Sequence, residues 1–182
     1  GRVYTVDTDV LPTGKSNPKN FAFFIDSNTN EKIVQILPYK ENLKCILASS
    51  YGKGFIADLN DIKTSQKKGK QLFNLKSGDE VINLNTNIKT HIGCVSTSAK
   101  LLVFATKDLP ILIKGSGVQL QKIKAEEALS DIQTLNLNEG ITWTIGSQLR
   151  NEKDVSFWIG KRSQVGKKVP KRFNKHLKFF NE

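Results

Sequence analysis

Acid–base chemistry near neutral pH needs a group that titrates there, and this chain offers two histidines, His91 and His176. His91 sits in Lys89-Thr90-His91-Ile92, ahead of an apolar run, and His176 lies in a basic stretch near the C-terminus. Neither has a local Ser, Cys or Asp that suggests a triad, so both read as surface histidines. The acidic pairs Asp58/Asp61 and Glu126-Glu127 lack a Gly-rich Ca²⁺ loop, and Asp58 and Asp61 stand at a strand end, where capping or turn roles fit better. Cys45 and Cys94 lie in the apolar runs Lys44-Cys45-Ile46-Leu47 and Gly93-Cys94-Val95, with no CxxC or Cys/His metal spacing; they read as reduced thiols in a core. Lys114-Gly115-Ser116-Gly117 lacks the spacing of a phosphate loop and no helix pattern follows it. It reads as a basic turn whose backbone N–H groups can still approach a phosphate closely. The expectation is a chain with no catalytic residue, no metal site and no cofactor of its own.

What the chain does have is charge. Twenty-eight Lys and Arg against 17 Asp and Glu give a net charge of +11 in 182 residues, which favours polyanionic partners. Six Lys and two Arg fall between Lys161 and Lys178 without an acid among them, and Lys63, Lys67, Lys68 and Lys70 form a second cluster. A hydrophobic content of 38% argues for a folded core, and no apolar stretch approaches the roughly 18 residues of a membrane span. The first residues already read as a strand rather than a signal peptide. The chain opens on Gly1 and contains no Met, which points to a segment of a longer protein.

The elements that must carry this charge repeat along the chain. Arg2–Leu11, Gly52–Ile62 and Ala99–Leu109 align as short β-rich runs ending in an Asp and an apolar residue. The marker acids Asp9, Asp61 and Asp108 are 52 and 47 residues apart, and Asp154 is a candidate fourth, 46 further on. Gly69-Lys70-Gln71-Leu72 matches Gly117-Val118-Gln119-Leu120 at an offset of 48, with Gly166-Lys167-Lys168-Val169 as a degenerate copy. Ile33–Leu37, Val81–Leu84 and Ile132–Leu135 form a further family of apolar strands, whereas Ala125–Leu129 holds at most one or two turns of helix. A unit of about 48 residues with four short strands is one blade of a propeller-like fold, and a single blade must stack on its neighbours to bury both faces. The prediction is a single all-β domain over 1–182, with units of approximately 1–50, 51–98, 99–146 and 147–182 and a basic C-terminal segment at 161–182. Cys45 and Cys94 fall on the same face of equivalent strands. Trp143 and Trp158 read as core, as does packing between blades for Tyr51 and Phe55.

In order along nearly the whole chain, Gly1-Arg2-Val3-Tyr4-Thr5, Leu37-Pro38-Tyr39, Ala48–Phe55, Lys68-Gly69-Lys70-Gln71, Lys100–Phe104, Asp108-Leu109-Pro110, Lys114–Leu120 and Gly140-Ile141-Thr142-Trp143 resemble one known domain. It is the C-terminal β-pinwheel of the A subunit of bacterial topoisomerase IV, of the type IIA topoisomerases that include gyrase. The resemblance implies duplex DNA binding and bending that serves a catalytic core lying outside this segment. It implies an A2B2 assembly, in which a second A subunit joins the B subunits through that core. ATP and Mg²⁺ would be used by other domains or subunits, and the setting would be the bacterial cytoplasm and nucleoid without integral membrane association. The long Gln-Arg-Arg-Gly-Gly-Lys-Gly box of the gyrase domain is missing, which favours the decatenating enzyme, and Thr13-Gly14-Lys15-Ser16-Asn17-Pro18 departs from the Gly-rich turn of the pattern. The expected DNA-binding residues are Lys63, Lys67, Lys68, Lys70, Lys114, Lys161, Arg162, Lys167, Lys168, Lys171 and Arg172, facing phosphates from loop tips with little sequence preference. The competing reading is a propeller-type module that binds an acidic partner protein.

Overall fold

The computed structural model describes residues 1–12, 14, 23–26 and 32–180, and its regular structure is almost entirely β. The central hairpins are β2 (Lys44–Ser49) with β3 (Lys53–Asp58), β6 (His91–Ser96) with β7 (Lys100–Ala105), and β10 (Ile141–Ile145) with β11 (Gln148–Glu152). β5 (Val81–Asn85) and β9 (Leu129–Leu135) flank the first two hairpins on one edge. The two-residue strands β8 (Val118–Gln119) and β12 (Lys167–Lys168) flank them on the other, while β4 (Lys70–Gln71) pairs with β1 (Arg2–Val3). Two complete antiparallel blades result, ordered β5-β2-β3-β8 and β9-β6-β7-β12, between two two-stranded ones.

A sequence unit is therefore not a blade. The first complete blade takes β2 from the first unit, β3 and β5 from the second and β8 from the third. Each unit lends strands to its neighbours, which ties the array together beyond face-to-face stacking. Alternation along the hairpins sends successive side chains to opposite faces, and the core is correspondingly divided into one cluster per seam. Cys45, Leu47, Phe55 and Ala57 face the β1–β4 side, where Phe55 meets Phe73 edge-on at 5.0 Å. Ile46, Ala48 and Ile56 meet Ile92, Cys94, Leu102 and Phe104 across the middle seam. Val95, Leu101 and Val103 meet Ile141, Trp143, Trp158 and Phe179 across the last. Both cysteines are free and buried on equivalent faces, and burial raises the Cys45 thiol to about 11 and pushes Cys94 up as well.

The marker acids explain themselves locally. A single helical turn follows each marker strand: Thr8–Val10, α1 (Leu59–Ile62), Thr106–Asp108 and Ser156–Trp158. Asp9, Asp61 and Asp108 lie inside these turns, and Asp154 stands two residues ahead of the fourth. Asp58 caps α1, accepting the amide N–H of Asn60 at 2.9 Å, and Asp154, one residue ahead of the N-cap Val155, accepts the amide N–H of Ser156 at 3.0 Å. The Ser156 contacts also hold the Asp154 carboxyl below its ordinary pKa.

Three expectations change. Ile33–Leu37 forms no strand: residues 32–40 are irregular, with Ile33, Val34 and Ile36 exposed, and none of the described strands pairs with them. Ala125–Leu129 is a turn rather than a helix, with Glu126 at φ +66° and β9 beginning at Leu129. Phe55 and Tyr51 part company, since Phe55 is fully buried while Tyr51 stays on the surface, its hydroxyl donating to the Ser77 carbonyl at 3.1 Å. The Thr13–Pro18 turn, apart from Gly14, lies outside the described residues.

Candidate nucleic-acid interface

After each helical turn the chain must reach the far edge of the neighbouring sheet, and it does so through three equivalent loops, residues 63–69, 110–117 and 159–166. Each ends on a glycine with left-handed backbone: Gly69 (φ +66°), Gly117 (φ +67°) and Gly166 (φ +86°). A β-carbon there would come within 2.6 Å of the Val3 carbonyl oxygen, 2.7 Å of that of Gly54 and 2.5 Å of that of Leu101. Both the conformation and the close approach require Gly. The degenerate copy at Gly166 thus keeps the one residue its turn cannot replace.

Each loop straps a seam. The amide of Asp26 donates to the Lys67 carbonyl at 2.8 Å, that of Asn74 to Gly115 at 2.8 Å and that of Lys122 to Gln164 at 3.0 Å. The donors are 48 residues apart in sequence (26, 74, 122), so the same bond recurs at three successive seams. Return bonds from Gly115 N–H to the Leu72 carbonyl (3.0 Å) and from Ser163 N–H to Leu120 (2.9 Å) fix the second and third straps. The buried Gln121 amide adds donations to the carbonyls of Val165 (2.7 Å) and Lys100 (3.1 Å), clamping the third strap to β7.

The straps and the edge strands they feed carry most of the expected cations. Lys67 and Lys68 lie on the first strap, Lys114 on the second, and Lys161 and Arg162 on the third; Lys70 is on β4, and Lys167 and Lys168 are on β12. Lys67, Lys68, Lys114, Lys161 and Lys168 are exposed. Others are tethered: Lys70 Nζ donates to the Asp61 carbonyl at 2.5 Å and Arg162 Nη1 to that of Gln119 at 2.6 Å. Lys63 stands over the Tyr39 ring at 4.7 Å, and Lys167 over Phe157 at 4.5 Å. Lys171 and Arg172 belong elsewhere, in the turn after β12, where the Arg172 carbonyl accepts the Trp143 indole N–H at 3.0 Å. This segment is a built part of the last seam rather than a loose basic tail. Trp158 likewise donates to the Lys168 carbonyl at 2.8 Å, and Phe179 is fully buried.

Two cations emerge that composition alone did not single out. Arg2 Nε and Nη2 donate to the carbonyls of Lys68 and Gly69 at 3.0 and 3.2 Å, bringing a guanidinium to the first strap. Lys122, whose amide holds the third strap, is exposed beside it. Its alignment with Asn74 was the available signal. The opposite edge strands differ in sequence: β5 and β9 contain neither Lys nor Arg, and the one cation tied to them, among the described residues, is Lys178, whose Nζ donates to the Ser130 carbonyl at 2.6 Å. There a buried Asp131 accepts from the amides of Ile132 (2.8 Å) and Phe179 (2.9 Å) and from the Asn83 side chain (2.9 Å). Burial raises its pKa and these bonds pull it back. Among the described residues the one ion pair is Lys89–Glu139 at 2.6 Å, so the strap cations are not neutralised by neighbouring carboxylates.

His91 Nδ1 lies 3.0 Å from the Thr90 hydroxyl and His176 is exposed, its amide donating to Asn174. Among the described residues no three His, Cys, Asp or Glu side chains gather as a metal site requires, and no helix is long and apolar enough to cross a membrane.

The family model for the DNA gyrase C-terminal domain, beta-propeller, matches twice, at residues 44–86 and 94–136. The A subunit of DNA topoisomerase 4 from Rickettsia bellii is 35% identical over 98% of this chain, and that from Caulobacter vibrioides 30% over 98%. In each case the chain spans 24% of the relative's length. Among solved structures, the E. coli ParC C-terminal domain superposes with a TM-score of 0.83 at 21% identity, over 95% of this chain and 74% of that one. A DNA gyrase A C-terminal domain gives 0.63 at 18%, over 86% and 55%. At those identities the structures establish a shared fold. Repeat, relatives and fold together place this chain in the family of C-terminal β-pinwheel domains of the DNA gyrase and topoisomerase 4 A subunits.

Proposed function

We propose that the chain binds duplex DNA along the strapped edge of its blades and bends it, presenting the duplex to a topoisomerase core for decatenation or relaxation. One observation carries the reading: cations stand on the same strap of successive blades, held by recurring backbone bonds, while the opposite edge strands have none. A row of amines at regular intervals suits a polymer with regularly spaced phosphates, and each neutralised phosphate releases counterions. The straps are loops and two-residue strands, with no helix to enter a major groove, so backbone contacts should dominate over base readout. Any preference would then come from duplex shape and deformability.

The family relation supports a place beside a type IIA core, where a second A subunit, the B subunits, ATP and Mg²⁺ would act, in a bacterial cytoplasm engaged in chromosome segregation. The test is fluorescence anisotropy on a duplex of about 40 base pairs at several salt concentrations. The expected result is a log–log slope of roughly −0.9 per phosphate contacted. Charge reversal at Lys67, Lys68 and Lys114 together should weaken binding by about tenfold or more and flatten that slope. Salt-insensitive binding, or an unchanged affinity in the triple variant, would overturn the reading.

A further inference from the structure

The straps also expose large apolar side chains where a bound duplex would lie. On the second strap Ile111 is 54% and Ile113 57% exposed, while Leu112 between them packs into the first seam. The alternation is enforced by the backbone. The Ile56 amide donates to the Pro110 carbonyl at 3.0 Å, Leu112 N–H donates to the Ile56 carbonyl at 2.8 Å, and Ile56 and Ile111 form a parallel bridge. The third strap repeats the arrangement: Val103 and Ile159 form the corresponding parallel bridge, and the Gly160 amide donates to the Val103 carbonyl at 2.9 Å. Ile159 is 43% exposed there, next to Phe157 at 56%. Ile111 and Ile159 are therefore structural equivalents on adjacent blades. Burial explains neither, although single exposed apolar residues need no explanation by themselves.

Their surroundings decide the partner. Lys114 follows Ile113 by one residue; Lys161 and Arg162 follow Ile159 by two and three; and Lys167 caps the Phe157 ring at 4.5 Å. An apolar protein surface would leave these amines desolvated, whereas a duplex offers phosphates to the cations and base-pair edges to the apolar groups between them. Proteins that bend DNA press apolar side chains against base steps from the minor groove, at an unstacking cost offset by the contacts that the bend permits. Resting on the DNA-binding reading above, we propose that Ile111 and Ile159, assisted by Ile113 and Phe157, are apolar wedges that set the bend of the duplex while the strap cations set its affinity.

The test compares wild type with the I111S/I159S double variant on a duplex labelled at both ends for energy transfer, alongside anisotropy across salt. Both side chains are exposed, so the fold should survive, and thermal unfolding checks that it does. The expected result is an unchanged salt slope, since no phosphate contact is lost, with a bend at least about halved from the roughly 20–90° that wedge-bearing proteins impose. The conservative I111L/I159L variant should restore the bend. An I111S/I159S protein that bends DNA as far as wild type overturns the wedges and leaves DNA binding standing. A wild type that shows no salt-dependent binding removes the underlying reading, and the wedges with it.

Discussion

The middle blade and the terminal β10–β11 hairpin are built from the same antiparallel pairing, yet one is made to be covered and the other to meet water. In the middle blade Ile92, Cys94, Leu102 and Phe104 fill one seam, and Val95, Leu101 and Val103 fill the next. In the terminal hairpin Ile141 and Trp143 face the seam, while the outer face carries Thr142, Thr144, Leu149 and Asn151. The free edge of β10 is closed by two side chains and one backbone carbonyl in place of a strand. The Gln133 amide donates to the Thr142 carbonyl at 2.8 Å and accepts its N–H at 3.0 Å. Asn174 donates to the Thr144 carbonyl at 2.9 Å, and the Thr144 amide donates to the Phe179 carbonyl at 2.8 Å. An unpaired edge invites association unless it is blunted. One outward residue in two, changed from aliphatic to polar, separates a covered blade face from the exposed face of this hairpin.

The sharpest way to break this comparison is to cut equivalent bulk from each. Leu102→Ala, at a fully buried site between two complete blades, should cost about 3–5 kcal/mol through lost burial and the cavity left behind. Leu149→Ala, at a residue 66% exposed on the terminal hairpin, should stay within about 0.5 kcal/mol. Urea titrations of both variants measure the difference, and similar costs would mean that the hairpin's outer face is covered in solution.

Asp131 ties the two regions together, bonding β5 through Asn83 and the C-terminal segment through Phe179. Asp131→Ala should strand those donors and cost about 2–3 kcal/mol. Hydrogen exchange should show lost protection at Phe179 and Thr144 before the middle blade is affected. Uniform loss across the chain would show that the terminal hairpin does not open separately.

Backbone substitutions sharpen the contrast on a smaller scale. Gly117→Ala forces a β-carbon to 2.7 Å from the Gly54 carbonyl oxygen in addition to a left-handed φ, and should cost more than the ~1 kcal/mol of the conformation alone. Gly146→Ala, in the terminal turn with nothing within 4 Å, should cost only that ~1 kcal/mol. Thermal midpoints of the two variants, taken side by side, decide it.

The seams should also show a pH dependence. Burial raises the Cys45 thiol from 9.0 to about 11. Below pH 9 the thiol is neutral in both folded and unfolded chains, and its contribution to stability is complete. As pH rises from about 9 to about 11 the unfolded chain loses the proton first, so stability falls. The Tm of wild type should therefore drop across that range more steeply than that of Cys45→Ala, and parallel curves would mean that the thiol is solvated.

Much of the fold was legible in advance because a repeat writes its strands several times over. Gly69, Gly117 and Gly166 marked their turn through sequences as different as Lys-Gln, Val-Gln and Lys-Lys. The marker acids flagged the helical turns because three of them, Asp9, Asp61 and Asp108, lie within the turn itself. The cations of the candidate interface were visible as clusters; that most of them stand on equivalent straps, and that Lys171 and Arg172 do not, came from the structure.

Residue types and spacing thus determined that this chain is a β repeat and strongly basic. Only the tertiary structure decided which strands share a blade, because pairing partners lie in other units and local pattern carries no information about distant edges. The same held for Ile33–Leu37, whose strand-like composition pairs with none of the described strands. It also decided that Arg2 joins the first strap from 66 residues away, and that the basic C-terminal stretch is packed by Trp143, Trp158 and Phe179 instead of trailing in solvent. Charge is a property of single residues and can be counted. Which charges are tethered, which are free and which stand beside an exposed isoleucine depends on how three seams close, and that is fixed only when the blades meet.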